Sequence, residues 1–137
     1  MAELRYSVVF EEYAKRHYMK IFEKKYKKMW KMTVDDIVAM CQRIDLMLLR
    51  NQADLIKDVD GYKLVKLDFK VEGTHKSAKA AGNRCILFVD EKLKEVKVLL
   101  VYSKNEIGEP GETVKWKKIV GYSDLGDCYW GDRKSVV

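Results

Sequence analysis

Cysteine and histidine are scarce in this chain of 137 residues, which has three of the first and two of the second. Cys41, Cys85 and Cys128 are odd in number, far apart, and include no CxxC pair. That pattern argues against a disulfide framework and against the usual Cys/His zinc sites, whose ligands come in closely spaced pairs. Cys41 and Cys85 sit instead inside apolar runs, where a thiol serves as a small buried hydrophobe. Long apolar runs are missing too. None approaches the ~18 residues of a membrane span, and the opening MAELRYSVVFEEY lacks the basic stretch, apolar core and cleavage site of a secretory signal. A cytoplasmic protein without a membrane segment is the expectation. Repeats and linkers are absent as well, so one domain is expected over residues 1–120, followed by a loosely held tail over 121–137.

What the chain has in quantity is charge. Charged residues make up 35% of it and the net charge is +6, beside 47% hydrophobic residues. The balance favours a polyanionic partner, either nucleic acid or an acidic protein, without choosing between them.

The first elements follow from periodicity. Residues 5–10 (RYSVVF) predict a short strand with Tyr6, Val8 and Phe10 on one face. Ala14, Tyr18, Ile21, Phe22, Tyr26, Met29 and Trp30 then recur at helical spacing, which predicts one helix running to Lys31. Lys20, Lys24 and Lys27 lie largely opposite that stripe, either as a solvated face or as an RNA-docking surface. Thr33 with Asp36 forms a capping box, predicting a second helix from Thr33 to about residue 50 and a helical hairpin with the first. Residues 51–60 predict a loop ending in an Asp60–Gly61 turn.

Residues 62–71 alternate, with Val65, Leu67, Phe69 and Val71 on one face and Lys66, Asp68 and Lys70 on the other. A half-buried strand follows, its second face offering lysines to an open side. The loop 72–83 is small, polar and glycine-containing, and carries His75, Lys76 and Lys79: a phosphate clamp or an ordinary solvated loop. The apolar runs 85–89 and 96–102 predict a central hairpin around residues 90–95. Its antiparallel pairing brings Arg84 and Lys104 to the same end. Residues 108–111 (GEPG) break the chain, and 112–120 predict a short helix. The order predicts an α+β fold: a helical hairpin on one face of a small, mostly antiparallel four-stranded sheet, with a short C-terminal helix.

With VKLDF at 65–69, NRCI at 83–86 and VYSKNE at 101–106, the chain resembles the RelE/HigB branch of the RelE/ParE toxin superfamily. The likeness spans about residues 5–120 and is most specific at 82–84 and 102–106. It implies a RelE-like fold and the toxin of a type II toxin–antitoxin system. Such a toxin cleaves mRNA in the ribosomal 30S A site without metal or cofactor, and a cognate antitoxin neutralises it. The reaction is attack of the RNA 2′-hydroxyl on the adjacent phosphorus, which needs positioning and cations around the developing charge.

By position, the resemblance implies that Arg84 stabilises the phosphate, with Lys104, Lys66 and Lys70 as the other cations. His75 is a rival base because an imidazole is the side chain suited to proton transfer near neutral pH. Lys76 and Lys79, with Lys20, Lys24 and Lys27, are candidate RNA-binding residues. The family's catalytic tyrosine aligns with neither Tyr122 nor Tyr129, and the strand parity of Tyr102 points to the core. Two alternatives stay open: a ParE-like toxin that binds DNA gyrase without nuclease chemistry, and a non-catalytic basic RNA-binding module.

Overall fold

The computed structural model describes residues 5–108 and 111–120. The two apolar runs form β4 (Asn83–Asp90) and β5 (Glu95–Ser103). Asp90 closes the turn between them by accepting the backbone N–H groups of Lys92 and Leu93, each at 3.0 Å. β3 (Tyr62–Phe69) pairs antiparallel with β4, and β2 (Ala53–Val59) antiparallel with β3. β1 (Ser7–Phe10) lies parallel to β5, which gives the sheet order β1-β5-β4-β3-β2.

The sheet therefore has five strands, one more than expected. The extra strand, β2, lies where the sequence predicted a loop. Its register slips between Leu55 and Lys57, and such a bulge breaks the alternation that would otherwise mark a strand. The expected Asp60–Gly61 turn is present: both residues have positive φ (52° and 84°) and join β2 to β3 as a tight hairpin.

The helical region departs further from expectation. It divides into α1 (Glu12–Arg16), α2 (Met19–Tyr26), α3 (Lys28–Gln42) and α4 (Ile44–Leu49). Two of the three breaks fall at Tyr18 and Lys27, whose φ values are 46° and 50°, and the third falls at Arg43. Tyr18 leaves the expected stripe because its hydroxyl donates to the Ile107 carbonyl at 3.3 Å and its ring packs with the opposite sheet face. The break at Lys27 lets Phe22 and Trp30 stack at 4.6 Å, and both rings contact Phe69. In an unbroken helix, eight residues would separate those rings by about 12 Å along the axis. Thr33 caps nothing. It lies within α3, donating to the Met29 carbonyl at 2.8 Å and accepting from the Glu72 N–H at 2.9 Å.

Both faces of the sheet are covered. One carries Val65, Leu67, Phe69, Cys85, Leu87 and Val98 against Phe22, Trp30, Ile37 and Cys41 of the helices. The other carries Leu64, Ile86, Phe88 and Leu100 in one cluster with Trp116 and Val120 of α6 (Glu112–Val120). The open cationic sheet face expected from the sequence is thus an apolar surface under a helix. Lys66, Asp68 and Arg84 are the charged exceptions on this face, Lys66 and Arg84 half-buried and Asp68 only 4% exposed. No helix among the described residues is long and apolar enough to cross a membrane. The tail 121–137, with Cys128, lies outside the described residues.

The 72–83 loop folds its last part into α5 (Ala78–Ala81), capped by Ser77, whose Oγ accepts from Ala80 N. Gly82 ends it at φ 73°, and a Cβ there would stand 2.9 Å from the Lys104 side chain. Gly82→Ala is expected to cost about 1–2 kcal/mol through left-handed strain, read as a lower urea midpoint. A second test uses Cys41, whose thiol burial pushes up from 9.0 to about 12. The folded state holds that proton more tightly, so the stability it contributes is complete below pH 9 and lost as pH rises towards about 12. Cys41→Ala is expected to lower neutral-pH stability by about 1–2 kcal/mol. It should also flatten the alkaline fall in a pH series of denaturation midpoints.

Candidate functional site

Cross-strand register assembles a polar row at one end of the sheet. Asp68 of β3, Arg84 of β4 and Tyr102 of β5 are register partners and share the face that α6 covers. Arg84 is the hub. Its Nε donates to Asp68 Oδ1 at 3.1 Å, and its Nη1 donates to both carboxylate oxygens of Glu112 at 2.5 Å. The Tyr102 hydroxyl donates to Glu112 Oε2 at 2.6 Å. Lys79 of α5 reaches the second oxygen of Asp68 at 3.5 Å.

The arrangement is nearly dry. The side chains of Asp68, Arg84 and Glu112 are 6%, 17% and 21% exposed, and Tyr102 is fully buried. Burial works against the guanidinium charge, but Glu112 and then Asp68 outweigh it and raise its pKa. Burial, followed by the hydrogen bond to Glu112, pushes the Tyr102 hydroxyl well above its ordinary 10.0. Tyr102 is therefore a fixed O–H donor near neutral pH and no base. Chemically the cluster is a two-donor anion site, Arg84 with Tyr102, holding the carboxylate of the chain's own helix.

The predicted site residues divide into separate groups. Lys66 lies two residues before Asp68 on the same strand and face, and Lys79 joins the cluster through Asp68. Lys104 is adjacent: its backbone N–H donates to the Gly82 carbonyl at 2.9 Å and its stem crosses that glycine. Lys70 has moved away. It lies just past β3, beside a different groove shared with Asp36 and Glu72. Lys20 and Lys24 are exposed on α2, and Lys27 lies at the break before α3, beside Trp30.

His75 and Lys76 meet a second feature, a groove of about 510 Å³ at the end of the sheet. Its walls include Asn83, Ser103 and Asn105 from the hairpin ends and Lys25 and Tyr26 from α2. The basic loop, the central hairpin and the first lysine-rich helix thus converge, though their segments are far apart in the chain.

Four participants were missed by sequence reasoning: Asp68 and Glu112 as charge partners, Tyr102 as a donor, and Asn83. Only Asp68 left a usable signal, an acid sharing a strand face with a lysine and paired directly with the arginine of the next strand. Glu112 left none, because its contact depends on how α6 returns to the sheet.

No protein-family model and no curated protein matches the sequence. Among solved structures, the chain is similar to the archaeal RelE–RelB complex from Pyrococcus horikoshii OT3. Identity is 12% and the TM-score 0.49, over 74% of this chain and 97% of that one. A likeness of that size carries no inference about activity.

Asp68→Ala leaves Arg84 with half its compensation in a dry site and is expected to cost about 2–4 kcal/mol. Tyr102→Phe removes one hydroxyl at constant packing and is expected to cost about 1–2 kcal/mol. Urea denaturation of the two variants in parallel checks the order.

Proposed function

We propose that this chain is the toxin of a type II toxin–antitoxin pair, a ribosome-dependent endoribonuclease neutralised by a cognate antitoxin. The observation that carries the reading is the convergence of Arg84 and Tyr102 on one carboxylate, at the position where the sequence resemblance locates the phosphate-binding arginine. A carboxylate gripped by both oxygens occupies the place of two phosphate oxygens.

In the proposed reaction the 2′-oxygen of RNA forms a bond to the adjacent phosphorus while the bond to the 5′-oxygen breaks. A 2′,3′-cyclic phosphate and a 5′-hydroxyl result. Arg84 holds the charge that develops on the non-bridging oxygens, and Tyr102 donates a hydrogen bond to them. One group removes the 2′-hydroxyl proton and another protonates the leaving oxygen. Lys66 and Lys104 flank the row and are the proposed proton carriers, with His75 the rival base from the groove. Lys70 is the weakest member of the set because it faces another groove.

Phosphate and Glu112 cannot occupy the site together. With Glu112 and Asp68 in place the arginine charge is neutralised, so α6 has to lift before RNA enters. Gly108 and Gly111, both at positive φ, lie in the connection from β5 to α6. An acidic antitoxin segment suits the same place, where its carboxylate would take over the contacts that Glu112 makes with Arg84 and Tyr102.

The neutralised arginine also favours a second reading, a basic RNA-binding module without cleavage. Inducible expression with primer-extension mapping of mRNA ends separates the two. Arg84→Ala with Lys104→Ala is expected to abolish growth arrest and lower cleavage at least about 100-fold, whereas Glu112→Ala should raise RNA affinity. A folded double variant that stays fully toxic would sink the site assignment. Salt-sensitive RNA binding without new mRNA ends would select the module, and arrest with DNA damage and intact mRNA would select gyrase poisoning.

A further inference from the structure

The groove beside Asn83 holds a polar group that the fold leaves unused. Asn83 is 7% exposed, yet among the described residues its side-chain amide has no hydrogen-bond partner. It is not walled off either, since the amide keeps its small exposure where Asn83 lines the groove. A buried amide without a partner costs stability unless something else satisfies it.

The surroundings say what that partner would be. Asn83 pairs in register with Phe69 and Ser103, on the helix-covered face of the sheet. The half-buried ring of Tyr26 forms part of the opposite wall. Lys25 and Lys76 stand at the rim: Lys25 lies 3.7 Å from Glu106 and 5.4 Å from the centroid of the Tyr26 ring, where it would shift to admit a base, and Lys76 is exposed. An aromatic face, a carboxamide with a donating NH2 and an accepting oxygen, and cations outside match an unstacked nucleobase and its phosphates. The volume of about 510 Å³ accommodates a nucleotide.

We propose that this groove is a base-reading pocket for single-stranded RNA, in which Asn83 hydrogen-bonds the edge of one splayed base against Tyr26. The inference rests on the RNA reading of the Arg84 site and deepens it. Asn83 and Arg84 are consecutive on β4 and point to opposite faces of the sheet. A strand passing around the end of β4 presents a phosphate to Arg84 and a neighbouring base to Asn83. Base preference is then set apart from the phosphate chemistry, in a residue that touches neither Glu112 nor Asp68.

The test is fluorescence anisotropy with short labelled ribo-oligonucleotides differing in one central base. It uses the full chain, Asn83→Ala, Asn83→Asp and Tyr26→Leu, each verified as folded by circular dichroism. To keep the Arg84 site open, the series is repeated in the Glu112→Ala background. The parent is expected to prefer one base by about 5- to 100-fold. Asn83→Ala should level that preference while retaining salt-sensitive binding, and Asn83→Asp, which loses the donor, should change which base is preferred. Tyr26→Leu should weaken all bases together. RNA binding whose base preference survives both Asn83 substitutions overturns the pocket and leaves the RNA reading standing. No RNA binding by any variant overturns both. Ribonucleoside 5′-monophosphates that compete as well as unlabelled oligonucleotide would make the groove a free-nucleotide site and overturn the proposal for RNA.

Discussion

A guanidinium on the apolar face of a sheet has to be neutralised, and most of this architecture can be read from how Arg84 meets that demand. β3 supplies Asp68, β5 supplies Tyr102 as a neighbour, and α6 supplies Glu112. Three strands and one helix are therefore pinned at a single charged centre. Desolvated ion pairs of this kind add little net stability over well-packed apolar residues, although losing one partner is severe. What the centre does contribute is registration: it fixes where α6 sits on the sheet and which end of the hairpin it covers.

That registration changes the meaning of the cationic convergence visible in the sequence. Arg84 and Lys104 do come to one end of the hairpin, but they are not equivalent there. Arg84 is gripped by acids, whereas Lys104 lies along Gly82 with no ion pair among the described residues. A net charge of +6 hence says little about the potential at the one arginine on which the functional reading depends. The charge is distributed mainly over exposed lysines of the helices and loops.

Much of the fold was legible because local patterns agree with tertiary packing. The runs 85–89 and 96–102 are apolar on both faces because the sheet is covered on both, and Asp60–Gly61 reads as a turn because few other pairs accept its dihedrals. The misreadings share a cause. Tyr18, Phe22 and Trp30 continue a helical stripe in sequence, but their best partners are Ile107, each other and Phe69, and those contacts are non-local. Thr33 resembles a cap until Glu72, 39 residues away, turns it into a link between α3 and the β3–α5 loop. The site was legible only as far as its cations. Its acids and the unused amide of Asn83 acquire roles from the return of α6 and the walls of a groove, which no spacing rule encodes.

The bulge in β2 has a consequence for the molecule among its copies. The strands at the centre of the sheet are long, apolar and rich in β-branched residues, the composition from which intermolecular sheets grow. They are enclosed by β1, only four residues long, and by β2, whose register is interrupted at Ile56 and which carries Asp54, Lys57 and Asp58. A short strand on one side and a kinked, charged one on the other are poor templates for a further strand. The irregularity that hid β2 in the sequence thus also guards the sheet against self-association, letting an aggregation-prone hairpin remain at its centre.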